Sequence, residues 1–88
     1  MNSLEEYVRR VRDVLASVRS ILSNQESAEV EHLIAHDECP EALRTLAWII
    51  VEEGKRVPRE TIEAIRQLSE GLIDEKHMPD DLDSHVLE

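Results

Sequence analysis

Apolar residues return every three or four positions through most of this chain, and that spacing commits it to helices. In the first stretch Leu4, Val8, Val11, Leu15, Val18 and Leu22 alternate in steps of four and three, with Tyr7, Val14 and Ile21 beside them. On a helical wheel they form one apolar stripe about 140° wide, the width a core-facing helix carries. Arg9, Arg12, Asp13, Ala16 and Ser20 fall opposite. No segment alternates with period two, glycine occurs only twice and proline three times, so nothing in the pattern asks for strands.

Punctuation residues divide the pattern into four helices. Ser3 with Glu6 reads as a capping box opening a helix over Leu4 to about Leu22. Ser23 with Glu26 repeats the signature for a second helix over 24–36, whose narrow apolar face is Val30, Leu33 and Ile34. Asp37-Glu38-Cys39-Pro40 ends it, because proline disfavours helical geometry in the residue before it yet sits well in a new first turn. A third helix from Pro40 to Glu53 closes at Gly54. It presents Ala42, Leu43, Leu46, Ala47 and Ile50 to one side, with Ile49 and Val51 widening the arc, and this places it at the centre.

Val57-Pro58 starts the fourth helix, with Pro58 in its first turn, Ile62, Ile65, Leu68, Leu72 and Ile73 on its apolar side, and an end near Lys76. A break at Met78-Pro79-Asp80-Asp81 leaves a tail, 77–88, free to flex. Within it Leu82, Val86 and Leu87 have the spacing for one last turn that packs back, and Leu87-Glu88 has the look of a tag junction. The 88 residues make one domain, since a chain of this size buries only about 60–65% of its unfolded surface. The expected architecture is all-α, a compact antiparallel bundle of four helices with a short C-terminal turn.

Charge narrows the choice of partner. Twenty acidic against ten basic residues give a formal net charge of −10, which argues against nucleic acid or an anionic membrane as ligand, since both demand a basic footprint. It favours a basic protein captured by electrostatic steering. The charge is also uneven. Residues 1–22 carry four arginines and three acids, whereas residues 23–54 carry eight acids and one arginine. A binding surface is therefore expected in the middle third. A single cysteine excludes an internal disulfide and fits a reducing compartment, and with no apolar run of about 18 residues the expected location is cytoplasmic.

Equipment for catalysis is sparse. His32 and His36 lie one helical turn apart, near Glu29, Asp37 and Cys39, a spacing that can put two imidazoles on one metal. Residue 33 is Leu, so the zinc-protease pattern H-E-x-x-H is missing, and no second ligand pair appears. Cys39 near His36 invites a nucleophile, but a catalytic thiol needs a depressed pKa, an oriented base and an oxyanion site. The chain has two aromatic residues to line a pocket and no Gly-rich phosphate loop. The reading is a non-enzyme with no cofactor and no metal. Trp48 lies nearly opposite Leu46 and Ile50, beside Glu41, Arg44, Thr45 and Glu52. It is either an exposed anchor ringed by polar groups or an indole covered by the C-terminal turn or the first helix.

The stretch from Ser23 to Leu68 resembles the small helical immunity proteins of bacterial polymorphic-toxin systems, of the Maf type and of some contact-dependent growth inhibition systems. The residues that carry the likeness are His36-Asp37-Glu38 at a helix end, Glu41-Ala42-Leu43 opening the central helix, Val51-Glu52-Glu53 closing it, and the Ile62, Ile65, Leu68 helix. Cys39-Pro40 departs from the small or aromatic residues usual there, and the tyrosine-rich acidic loop of the colicin-nuclease immunity proteins is missing. The resemblance implies a cytosolic protein that binds and neutralises one cognate basic toxin, often a nuclease. Charge and helix face, rather than the resemblance, select Glu29, Glu31, Asp37, Glu38, Glu41, Trp48, Glu52 and Glu53 as candidate contacts. The competing expectations are a homodimer or scaffold module seamed by Val11, Leu15 and Val18, and a metal domain centred on His32, His36 and Cys39.

Overall fold

In the computed structural model, residues 3–87 are described, and they form four α-helices with no β-strand among them. These are α1 (Ser3–Val18), α2 (Asn24–Ala35), α3 (Cys39–Glu52) and α4 (Arg59–Ser69), followed by two single-turn 3₁₀ helices, Glu75–His77 and Leu82–Ser84. Successive helices pack on one another and α4 returns to α1, which closes a four-helix bundle.

Local chemistry explains most boundaries. Ser23 caps α2 as the spacing predicts: its side chain accepts from the Glu26 N–H, and the Glu26 carboxylate accepts from the Ser23 N–H. The far end of α2 closes with two reversed bonds, Glu38 N–H to Leu33 O at 2.9 Å and Asp37 N–H to Ile34 O at 3.2 Å. That closure needs a left-handed residue, and Asp37 supplies it at φ 61°. The end of α3 repeats the motif with Gly54 at φ 65°, through Lys55 N–H to Ile50 O and Gly54 N–H to Val51 O. Proline at the first turn of α3 costs no hydrogen bond, since that N–H has no helical partner.

The structure departs from the periodicity at several points. The first helix stops at Val18, not Leu22: Ile21 and Leu22 both donate back to Val18 O, and the turn still buries Leu22. At its start, Glu6 pairs with Arg9 and does not reach back to Ser3. The fourth helix ends at Ser69, because Gly71 adopts φ 79° and the chain turns away. Leu72 is consequently 56% exposed and does not join the core, and Leu4 at the opposite chain end is 65% exposed. Pro58 caps α4 from outside its first turn.

The core runs along α3, whose Cys39, Ala42, Leu43, Leu46, Ala47 and Ile50 are all buried. Against it lie Val11, Val14, Leu15 and Val18 of α1, Val30 and Ile34 of α2, and Ile62, Ile65 and Leu68 of α4. Because Val11, Leu15 and Val18 are consumed here, that stripe does not offer a dimer seam. The seam between α1 and α4 also has a polar component, with Ser17 Oγ 3.1 Å from Thr61 Oγ1 and the Tyr7 hydroxyl donating to Leu68 O.

The tail is part of this core. Met78, Leu82 and Val86 are buried, and Val57 pairs with Val86 in an isolated parallel bridge through Val57 N–H to His85 O and Leu87 N–H to Val57 O. The turn at Leu82 and Val86 packs back, as their spacing suggests, and the segment from 78 to 87 forms a strap along the bundle. Leu87 is held by its backbone while its side chain stays exposed, and Glu88 lies outside the described residues. No helix among the described residues is long and apolar enough to cross a membrane.

Candidate functional site

Helices α2 and α3 share the most extensive contact in the bundle, and their outer faces carry most of the acidic residues of the middle third. Residues three or four apart share a helix face, so 26 and 29 on α2 meet 45, 48, 49 and 52 on α3. The result is a shallow groove lined by Glu26, Glu29, Ile49, Glu52 and Glu53, continuing past Thr45, Trp48 and Arg44, whose guanidinium is taken up by Glu41.

The eight expected contacts do not converge there together. Glu29, Trp48, Glu52 and Glu53 do. Glu31 points to the other side of α2, where Arg19 of α1 pairs with it at 3.0 Å and Arg12 lies at 3.8 Å. Glu41 is held by Arg44, and the hydrogen bond from that guanidinium keeps its carboxyl below the usual range. Asp37 lines a different depression with Leu4, Val8, Arg9 and Arg12. Glu38 is exposed on the turn and caps nothing with its side chain.

Charge in the groove is therefore uneven in a useful way. Glu26 is compensated by the Ser23 N–H, which lowers its pKa most, and by Lys55 at 3.3 Å. Among the described residues Glu29, Glu52 and Glu53 make no ion pair, so three uncompensated carboxylates share one concave face. Trp48 is half-buried, and its indole N–H donates to His77 O at 2.8 Å. The ring thus anchors the strap and offers only part of its surface to the groove.

Sequence reasoning used Glu26 solely as a cap and left Thr45 and Ile49 out of the groove. The signal for all three was the shared helical spacing with Glu29 and Glu52. The pairing of Glu31 with α1 had no sequence signal, since it depends on how α1 is rotated against α2.

Elsewhere the groups with chemical potential are occupied. Cys39 is 3% exposed, and burial pushes its thiol up, away from the thiolate a nucleophile needs. His36 Nδ1 lies 2.8 Å from His32 O, and since a carbonyl only accepts, that nitrogen carries the proton. The two imidazoles lie side by side with centroids 4.1 Å apart. Among the described residues no three His, Cys, Asp or Glu side chains converge as metal ligands.

No family model matches this chain, and neither a curated protein nor a solved structure is significantly similar to it.

Proposed function

We propose that the chain is an immunity-type protein that binds a basic bacterial toxin through the α2–α3 groove and neutralises it. The observation that carries this reading is the set of three carboxylates, Glu29, Glu52 and Glu53, that have no counter-ion among the described residues and share one face of a net −10 domain. The resemblance of residues 23–68 to the immunity proteins points the same way.

In mechanism the work is electrostatic and steric. The long-range negative field speeds capture of a basic surface. Close in, the groove carboxylates take lysine or arginine donors, and the bundle's bulk covers the toxin's own substrate channel. Carboxylates at an interface rim contribute little singly, so Glu29, Glu52 and Glu53 act as a group, with the free edge of Trp48 and Ile49 as the apolar contact.

The test is capture from a lysate of the source bacterium, washed at low and then high salt, with a Glu29→Gln, Glu52→Gln, Glu53→Gln variant in parallel. The expected result is one basic protein, released by salt, toxic when produced alone and harmless when produced with this chain. The variant should capture and protect poorly. Equal capture and protection by the variant would remove the groove from the reading, and a captured protein that is not toxic alone would overturn the function.

A further inference from the structure

We propose that His32 and His36 form a two-imidazole site for a divalent transition-metal ion of the nickel, copper and zinc kind, on the outer face of α2. This inference does not rest on the α2–α3 groove, because neither histidine lines it.

Three observations carry it. The two residues are four apart on an exposed face, and their rings are in contact, with centroids 4.1 Å apart and planes tilted by 39°. The bond from His36 Nδ1–H to His32 O, at 2.8 Å, fixes the tautomer and leaves Nε2 with a free lone pair. That is how a metal-ligating imidazole is held, one nitrogen donating to a carbonyl while the other faces the ion. The His32 ring makes no hydrogen bond among the described residues, so its nitrogens are open as well.

The spacing of the rings suits a chelate. Metal–nitrogen bonds of about 2.0–2.1 Å meeting at about 90–110° put two imidazole centroids roughly 4.5–5 Å apart. The pair stands slightly closer, so turning two exposed side chains outward by under about 1 Å completes the geometry. Ligand type then selects the ion. Imidazole suits nickel, copper and zinc, whereas carboxylate and water suit magnesium and calcium. The net charge of −10 draws any cation to the surface, and only the imidazoles discriminate among cations. No third side chain converges on the pair among the described residues, so water fills the other positions. Cys39, at 3% exposed, takes no part.

The experiment is a titration of the tag-free, ¹⁵N-labelled full chain with zinc chloride at about pH 8, above the ordinary imidazole range, read by calorimetry and by the imidazole nitrogens. Without metal, His36 should show the Nδ1–H tautomer. Zinc should bind once, shifting the ring nitrogens of His32 and His36 together, and magnesium should leave them unmoved. His32→Ala should bind zinc at least about tenfold more weakly, since a single imidazole gives up the chelate. That variant removes an exposed ring and no hydrogen bond, because His36 donates to the backbone of residue 32, so its amide spectrum should show the native fold. His77→Ala should bind like the parent. Binding that never saturates, that magnesium matches, that survives in His32→Ala, or that shifts the rings of His77 or His85 instead would overturn the proposal. So would binding lost only in the Glu29→Gln, Glu52→Gln, Glu53→Gln variant, a pattern that makes zinc a counter-ion of the groove and leaves the α2–α3 reading standing.

Discussion

The indole N–H of Trp48 donates to the carbonyl of His77, 29 positions further along the chain, at 2.8 Å. This bond fastens the entry of the C-terminal strap to the central helix, and Leu82, fully buried, fastens its middle. The two attachments differ in kind. A Trp48→Phe variant loses one net hydrogen bond, and His77 is exposed enough for water to replace it, so stability should fall by under about 1 kcal/mol. Leu82→Ala empties a core site and should cost about 2–5 kcal/mol. Urea melts of both variants, with amide exchange read across 77–87, check the ranking. Equal losses would mean that the Trp48 bond holds the strap as firmly as its core contacts do.

Much of this fold was legible because its causes are local. The Ser23 and Glu26 box, the Gly54 stop and the five core positions from Ala42 to Ile50 each follow from spacing of four residues or fewer. The errors came where the apolar period outran the helix. Ile21 and Leu22 continue the stripe of α1, yet the chain has turned after Val18 and Leu22 reaches the core from the turn. Leu72 continues the stripe of α4, and only Gly71 marks the break. The site was less legible than the fold. Charge located the acidic third, but which carboxylates stay unpaired depends on α1 bringing Arg12 and Arg19 to Glu31, a contact between helices. The cover over Trp48 is likewise long-range.

Asp37 holds a left-handed conformation, φ 61°, to let α2 end and α3 begin. A non-glycine residue costs about 1–2 kcal/mol there, less for Asp and Asn, whose short polar chains tolerate it. Asp37→Val should therefore lower stability by about 1–2 kcal/mol, whereas Asp37→Asn should stay within about 0.5 kcal/mol. Asp37→Gly should raise it slightly, the relieved strain being partly offset by glycine's larger unfolded-state entropy. Denaturation midpoints at unchanged slope give the answer. A Val variant as stable as the parent would contradict the turn geometry.

The buried Ser69 hydroxyl has no partner among the described residues, and such a group costs about 1–3 kcal/mol relative to one that is paired. Ser69→Ala removes the hydroxyl and leaves the fold's volume almost unchanged. It should raise the thermal midpoint, by the equivalent of about 1 kcal/mol. A fall in the midpoint would show that the hydroxyl is satisfied in solution.

The cap of α2 is a pH-dependent contribution. The Glu26 pKa is lowered from 4.5, first by the Ser23 N–H and then by Lys55. A lowered folded-state pKa means that the unfolded chain takes up its proton first as pH falls. The stabilisation is thus complete above 4.5 and is lost as pH drops through the folded value. Glu26→Gln keeps the cap geometry, because glutamine also accepts from the N–H, and loses only the charge. The variant should be less stable than the parent at pH 7, and the gap should close towards pH 3. A gap that stays constant with pH would place the effect in packing instead of charge.

Glu31 and Glu52 have similar chemistry and opposite circumstances, and this makes them the sharpest pair for mapping the binding face. Glu31 is already paired with Arg19 and Arg12, so a partner's cation gains little from it and must compete with two guanidiniums. Glu52 lies in the groove with no counter-ion among the described residues. Against the captured basic protein, Glu31→Gln should change affinity by less than about twofold. Glu52→Gln should weaken it by about threefold to tenfold, the range of a single rim or near-rim charge, with most of the loss in the association rate and erased at high salt. Stability should respond little to either, since exposed ion pairs contribute about 0–1 kcal/mol. If Glu31→Gln weakens binding more than Glu52→Gln, the partner docks on the α1–α2 side of the bundle, and the groove between α2 and α3 is not the neutralising surface.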